Sequence, residues 1–365
     1  MPNRRGCTHI DLPPAILAGM SKAPSIKRLT RFQRVRRLLR RGVLIAFVWL
    51  LLATWVESRR LGHELPRTTP AAPELDAQAL HADLATLAGP EMEGREAARP
   101  GGLRARAWIV QRFTDLGLRP LDARGLERPF QFIHRSIKAL WRRDRPFKIE
   151  VSGTANVVGQ IPGSDPSAEL LLVSAHYDHL GIHNGELYPG ADDNASGVAA
   201  LLALAAWMHA HPPRHTLIFA AFDAEELGLR GSQALAADPA LHLDRLAAVL
   251  NMDMISRPDG GGLVISGTGP NPQLRPLVEA AAAEARIPVR LGHDRPMWRA
   301  GFVDDWTTGS DQGTFAELGI PYLYLGVEDH ADYHQPTDTV DKVPADFHAA
   351  VAELALDLLR RLDQR

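Results

Sequence analysis

The chain has 365 residues, 45% of them hydrophobic and 23% charged, which excludes a fibrous protein and a chain that is disordered throughout. A single cysteine, Cys7, excludes a disulfide framework and a cysteine-based zinc site. The net charge of −2 divides into a basic segment, 1–60, with thirteen Lys and Arg against two acidic residues, and an acidic body, which argues against nucleic acid as a partner.

An apolar stretch lies near the N-terminus. Residues 42–56, GVLIAFVWLLLATWV, carry no charge and follow a run of arginines. As a helix they would span about 22 Å at ~1.5 Å per residue, which is shorter than the ~30 Å hydrocarbon core of a bilayer. We interpret them as an uncleaved transmembrane signal anchor, with residues 1–41 as a basic cytoplasmic tail and the body on the extracytoplasmic, periplasmic side. The alternative is a cleaved signal peptide, which would make the protein secreted.

The body follows a polar segment, 57–75, whose proline and alanine content is typical of a linker. From 76 to 365 apolar runs alternate with helical patterns. Strands are predicted at 156–161, 169–175, 216–222, 247–252, 263–267 and 322–325. Helices are predicted at 195–209, 231–237, 272–285, 310–318 and 344–362. Runs such as ELLLVSA are apolar on both faces, so we expect one α/β domain with a sheet covered by helices on both sides.

Histidines and carboxylates follow the predicted strands at five junctions. These are HYDH at 176–179, GADDNASG at 190–197, DAEE at 223–226, MDM at 252–254 and DYHQPTD at 332–338. Carboxylates that converge on one cleft repel each other unless a cation neutralises them. Imidazole and carboxylate ligands without cysteine suit Zn²⁺, with Mn²⁺ or Co²⁺ as alternatives. The number of such groups is enough for two metal ions that share one carboxylate.

These motifs, in this order, resemble those of the zinc-dependent co-catalytic aminopeptidases of peptidase family M28. Relatives in that family include bacterial leucyl aminopeptidases, glutamate carboxypeptidase and glutaminyl cyclase. The resemblance extends from Glu91 to Leu362. It implies a zinc-exopeptidase-like α/β fold with a mixed, mostly parallel central sheet and helices on both faces, preceded here by a single N-terminal membrane helix.

The resemblance also assigns roles to residues of this chain. The implied metal ligands are His176, Asp193, Glu226, Asp253 and His334. Asp193 would bridge two Zn²⁺ ions, with Glu226 and His334 on one ion, and Asp253 and His176 on the other. Glu225 would be the general base, and Asp178 would orient His176. Asp192 is interpreted as a local structural residue.

The implied activity is that of a membrane-anchored di-zinc exopeptidase that hydrolyses N-terminal peptide bonds of a peptide substrate. Two alternatives stay open. The first is a glutaminyl cyclase-like acyltransferase with a single zinc, and the second is a non-catalytic binding protein on a peptidase scaffold. The sequence predicts no oligomeric state.

Other residues near the motifs have simpler interpretations. Four histidines could line the cleft, but the simpler interpretation is that they are ordinary loop residues: His179, His183, His293 and His330. Tyr333 could donate to an oxyanion, but the simpler interpretation is a buried aromatic residue. Trp298 and Trp306 are candidate walls of a substrate pocket. The Ser-Asp-Gln sequence at 310–312 replaces the Ser-Asp-His common in relatives, which bears on substrate preference.

Overall fold

The computed structural model of the protein describes residues 39–52, 64–135, 148–295 and 304–365. Residues 39–52 are helical and exposed. Among the described residues, no helix combines the length and apolar character that crossing a bilayer requires. The predicted anchor continues to residue 56, and positions 53–56 lie outside the described residues, so the membrane helix stays a prediction. The described residues from 64 onward belong to one compact unit.

The described part of the body contains ten strands. They are β1 (Glu127–Arg135), β2 (Lys148–Ile161), β3 (Leu170–His176), β4 (Gly181–His183), β5 (Glu186–Tyr188), β6 (Thr216–Phe222), β7 (Leu246–Met252), β8 (Leu263–Ser266), β9 (Val289–Leu291) and β10 (Tyr322–Gly326). Eight of them form a mixed sheet in the order β1-β2-β6-β3-β7-β10-β8-β9, and β4 and β5 form a separate hairpin.

The centre of this sheet is parallel. Strands β6, β3, β7 and β10 pair in parallel, whereas β1, β2 and β8 join through antiparallel pairs. The six predicted strands are all present, and the mixed sheet confirms the predicted α/β class. Because the four parallel strands end at one edge, the residues that follow them are brought together.

Helices cover both faces of the sheet. They are α1 (Ala77–Leu87), α2 (Pro100–Asp115), α3 (Gly197–Ala210), α4 (Arg230–Ala236), α5 (Arg275–Ala283), α6 (Gln312–Glu317) and α7 (Ala345–Asp363). Strand β3 shows how the two layers arise. Leu171 and Val173 belong to the core under α1, α2, α3 and α7, while Leu170 and Leu172 belong to the core on the opposite face.

The described part of the predicted linker, 64–75, is bound to the body. Leu65 N donates to Val289 O at 2.8 Å, and Thr68 N donates to Ala283 O at 2.7 Å. The backbone amides of Glu74 and Leu75 donate to one carboxylate oxygen of Glu353, at 2.8 and 2.7 Å. This segment therefore lies along the end of the sheet and on α7.

Candidate metal centre

The predicted ligands lie at the carboxyl edge of the parallel strands. His176 is the last residue of β3, and Glu226 and Asp253 follow β6 and β7. His334 lies in the segment after β10. Asp193 lies in a short turn, Ala191–Ser196, that leads into α3. The fold thus gathers residues from five separate stretches of the chain.

Polar contacts fix the turn that carries Asp193. Asp338 accepts from the backbone amides of Asp192 and Asp193, each at 3.1 Å. The side chain of Asn194 donates to Met252 O at 3.0 Å and accepts from Gly197 N at 2.9 Å. The turn is therefore joined both to the end of β7 and to the segment that carries His334.

Asp192, next to the predicted bridging residue, points elsewhere. One oxygen of its carboxylate accepts from Ser256 N and Ser256 Oγ, both at 2.7 Å. The other lies 3.0 Å from His330 Nε2. Asp192 and His330 therefore form a buried structural pair, in line with the structural interpretation of Asp192.

Asp193 has its two carboxylate oxygens in two different groups of side chains. Oδ1 lies 3.4 Å from His176 Nε2, and that nitrogen lies 3.1 Å from Asp253 Oδ1. Oδ2 lies 3.1 Å from His334 Nε2, which is 3.3 Å from Glu226 Oε1. The five predicted ligands therefore form two adjacent groups that have Asp193 in common.

A further histidine lies in the second group. His179 Nδ1 is 3.0 Å from Glu226 Oε1 and 3.5 Å from Asp193 Oδ2. Its side chain is fully buried, unlike that of an ordinary loop histidine. The sequence signal was only that it is the second histidine of HYDH, and the spacing alone does not show which way the ring faces.

Asp178 contacts the residues around the site in two ways. Its carboxylate accepts from the backbone amides of Glu225, at 3.0 Å, and Glu226, at 3.3 Å. Its main-chain oxygen lies 3.1 Å from His176 Nδ1, whereas its carboxylate is 3.8 Å from that nitrogen. The hydrogen bond that orients His176 is thus made by the backbone of Asp178, and the carboxylate fixes the Glu225–Glu226 backbone.

The electrostatics of the site are those of crowded carboxylates. Burial raises the pKa of Glu225 well above its ordinary value, and Asp253 and Asp311 add to the shift while His176 opposes it. Burial likewise raises the pKa of Asp311 to about 6. Burial disfavours protonated His334, but hydrogen bonds to Asp193 and Glu226 outweigh it and raise its pKa to about 10. The crowded carboxylates therefore favour positive charge at the candidate metal centre.

A buried arginine lies beneath the centre. Arg95 is fully buried and ends a 3₁₀ turn, Pro90–Arg95. Its guanidinium donates to main-chain oxygens of five residues: Tyr177, Leu87, Pro189, Gly190 and Asp193. Burial lowers its pKa to about 10, while Asp193 and Asp338 oppose the shift. Arg95 thus joins the loop after β3 to the turn of Asp193.

The donor set fits zinc. Two groups, His176–Asp193–Asp253 and His179–Asp193–Glu226, each place their nitrogen and oxygen atoms within 4.8 Å of one another. Histidine and carboxylate are common protein ligands of Zn²⁺, and no cysteine is needed. The residues present therefore match the zinc ions that the resemblance implies.

Aromatic side chains lie beside the site. Tyr324 OH donates to Asp253 O at 3.3 Å, and Trp306 packs edge-on against Tyr324 at 5.7 Å between ring centres. His293 stacks on Trp306 at 3.7 Å and contacts Glu328 through Nε2 at 2.8 Å. Trp306 thus lies near the metal centre, while Trp298 is outside the described residues.

The chain belongs to peptidase family M28. The model of that family matches residues 156–359, a stretch that contains all five predicted ligands. An aminopeptidase from Pseudomonas aeruginosa is 35% identical over 181 residues, which cover 48% of this chain and 32% of that protein. The chain spans about half the length of the first curated relatives that it matches.

Two solved structures are similar in fold. An aminopeptidase from Aneurinibacillus sp. strain AM-1 aligns with a TM-score of 0.59 and 19% identity, covering 78% of this chain and 93% of that one. A glutaminyl cyclase from an Acidobacteriales bacterium aligns with a TM-score of 0.60 and 22% identity, covering 82% and 99%. The fold is therefore common to both kinds of enzyme and does not distinguish them.

Proposed function

We propose that this protein is a di-zinc aminopeptidase that hydrolyses the N-terminal peptide bond of its substrates. The observation that carries the proposal is the division of the Asp193 carboxylate between two groups of donors, one with His176 and Asp253 and one with Glu226 and His334. Two adjacent metal ions that share a ligand are typical of aminopeptidases.

The chemistry follows from the groups around that pair of positions. Bound zinc ions would lower the pKa of water and polarise the scissile carbonyl group. Glu225 has no assigned place among the metal ligands, and the backbone amides of Glu225 and Glu226 are both fixed by Asp178. The carboxylate of Glu225 would accept the proton of the attacking water and return it to the leaving amine. Carboxylates beside the site would favour the charged N-terminal amine of a peptide.

The experiment is a substrate panel with metal analysis on the same sample. Fluorogenic aminoacyl substrates, N-blocked peptides and glutaminyl peptides would be assayed with zinc counted per chain. We expect turnover of free-amine substrates only, with two zinc ions bound. Cyclisation of glutaminyl peptides at one zinc per chain would instead support the cyclase alternative, and zinc binding without any turnover would support a non-catalytic binding protein.

We also propose that the stretch 42–56 anchors the protein in a membrane with the catalytic body on the extracytoplasmic side. The support is the charge-free run of fifteen residues after an arginine-rich segment. Fractionation of cells that express the full chain tests this. Recovery of the body in the membrane fraction, accessible to protease from outside the cytoplasm, is expected. Recovery in the cytoplasmic fraction would contradict it.

A further inference from the structure

Trp306 lies one aromatic ring away from the candidate metal centre. Its indole packs against Tyr324, with 5.7 Å between the ring centres and 76° between the ring planes. The hydroxyl of Tyr324 in turn donates to the main-chain oxygen of the predicted ligand Asp253. Tyr324 is buried, whereas Trp306 is only partly buried. The indole therefore keeps some exposed apolar surface beside the centre.

The main chain of Trp306 is held from two sides. Its amide donates to His293 O at 2.7 Å, and its oxygen accepts from Gln312 Nε2 at 2.7 Å. The loop also packs closely on the start of α6, where a Cβ added to Gly313 would lie 2.7 Å from Thr308 Cα. The backbone at Trp306 therefore has little freedom to move.

The side chain of Gln312 is one end of a longer chain of hydrogen bonds. Its Oε1 accepts from Asn251 Nδ2 at 2.9 Å, and Asn251 Oδ1 accepts from Ser174 Oγ at 2.7 Å. All three side chains are fully buried. Ser174 lies in β3 and Asn251 in β7, two residues before the predicted ligands His176 and Asp253. Gln312 thus links the two strands that lead into the metal centre to the loop of the indole.

The indole ring is also held by a histidine. His293 stacks on Trp306 with 3.7 Å between the ring centres and 7° between the ring planes. Its Nδ1 faces Asp304 O at 2.7 Å, and its Nε2 faces Glu328 Oε1 at 2.8 Å. Since both partners are acceptors, both ring nitrogens of His293 donate, which fixes the orientation of the imidazole. One face of the indole is therefore covered by a fixed ring, and a substrate can contact only the rest.

We propose that Trp306 contacts the side chain of the substrate's N-terminal residue, and that Gln312 is a positioning residue that fixes the indole for this contact. The proposal rests on the proposed function, because it takes the substrate amine and the scissile carbonyl to lie at the metal centre. A broad aromatic surface favours an aromatic or branched apolar side chain over the methyl group of alanine. The carboxylate of Glu328 beside the stack is paired with His293, so it is not free for a basic side chain.

The experiment compares kcat/KM for phenylalanyl, alanyl and lysyl p-nitroanilides with the full-length, zinc-loaded protein. The variants are Trp306→Ala, Gln312→Met and the double variant. Trp207→Ala near the end of α3 and the exposed Gln273→Met are the matched controls and should keep the wild-type ratio. All substrates are assayed on one sample, so the ratio of two kcat/KM values does not depend on the fraction of folded enzyme. We expect the wild type to favour the phenylalanyl substrate, and the phenylalanyl-to-alanyl ratio to fall about tenfold or more in Trp306→Ala.

A positioning role for Gln312 predicts a specific pattern. Methionine keeps roughly the size of the side chain but donates nothing to Trp306 O, so the ratio should fall about threefold or more in Gln312→Met. The fall should appear as a higher KM for the phenylalanyl substrate, with KM for the alanyl substrate unchanged. It should vanish when Gln312→Met is added to Trp306→Ala, because the glutamine acts through the indole. A merely structural contact would not change one KM and leave the other.

The proposal and the proposed function fail in different ways. A wild type that turns over no free-amine substrate would overturn both. Turnover with the same ratio in the wild type and Trp306→Ala, or a wild-type preference for the alanyl or lysyl substrate, would overturn only the role of Trp306. An effect of Gln312→Met that persists in the Trp306→Ala background would overturn the positioning role of Gln312. Because Trp306 is a partly buried loop residue, Trp306→Ala tests the contact even if Gln312→Met does not fold.

Discussion

The guanidinium of Arg95 donates through Nε to the main-chain oxygen of Tyr177 at 2.8 Å, directly after the predicted metal ligand His176. The same side chain also donates to the oxygens of Pro189 and Gly190, just before the turn of Asp193. One buried cation thus connects the two stretches that carry the predicted ligands His176 and Asp193.

Replacing Arg95 by leucine should destabilise the protein strongly. The change leaves several buried carbonyl oxygens without a donor, each at a cost of ~1–3 kcal/mol, so we expect a loss of at least about 3 kcal/mol in the free energy of unfolding. Urea denaturation of the metal-free protein measures it. Arg104→Leu, at an exposed position with a surface ion pair to Glu93, is the control and should lose less than about 1 kcal/mol. Equal losses in the two variants would contradict the role of Arg95.

Replacing Glu225 by glutamine should remove catalysis and leave metal binding intact. Gln keeps the size of the side chain but accepts no proton, so kcat should fall by at least ~10²-fold with the zinc content unchanged. Turnover of amino-acid p-nitroanilides measures the loss. Glu169→Gln is the matched control, because Glu169 is exposed and precedes β3 at the opposite edge of the sheet. Parental turnover by Glu225→Gln would show that another group is the base.

A buried histidine away from the metal ligands should make stability depend on pH. His348 Nε2 donates to Ser196 O at 3.0 Å, and burial lowers its pKa to about 4 although this hydrogen bond opposes the shift. Below its ordinary pKa of about 6.5 the unfolded chain binds a proton that the folded chain does not, so stability is lost as the pH falls from 6.5 towards 4.

Comparison with a variant separates the contribution of His348 to this loss of stability from the contributions of other titrating groups. Between pH 7 and pH 5 the wild-type protein should lose roughly 2 kcal/mol more stability than His348→Gln, whose side chain keeps a donor and does not titrate. Urea denaturation at both values measures the difference. Exposed His211→Gln serves as the control and should follow the wild type. Parallel pH dependence in the wild type and His348→Gln would refute this account.

Removing the metal should abolish activity and lower thermal stability. Ions that bind only the folded protein stabilise it by mass action, by ~4 kcal/mol when the free ion exceeds Kd a thousandfold. Phenanthroline should therefore eliminate turnover and lower Tm, and added zinc should restore both. Full activity after verified metal removal would rule out metal-dependent hydrolysis.

The sequence predicted the parallel centre of the fold well because its strands are apolar on both faces. Strand β6 begins and ends at the predicted residues, 216 and 222. Strand β1 was missed, since an edge strand that contains Pro129 and alternates with polar residues has no continuous apolar run. The β4–β5 hairpin was also missed, although Asn184-Gly185 at its turn, with φ values of 54° and 83°, is a recognised signal.

Within the site, too, the prediction was good for some residues and missed others. The resemblance to the family implied five ligands, and the structure brings the side chains of those five together. No role was predicted for Asp338, although it ends the DYHQPTD motif, or for Arg95, because both act through hydrogen bonds to backbone groups far away in the sequence. The motifs also did not distinguish His179 from other loop histidines, because the burial of His179 depends on contacts with Gly190 and Glu226, which lie further along the chain.

The central claim is that two metal ions lie on either side of the Asp193 carboxylate. Anomalous diffraction at the zinc edge from crystals of the zinc-loaded protein tests it directly. The account predicts two peaks per chain, one beside His176 and Asp253 and one beside Glu226 and His334. A single peak at full zinc occupancy, or peaks away from Asp193, would contradict it.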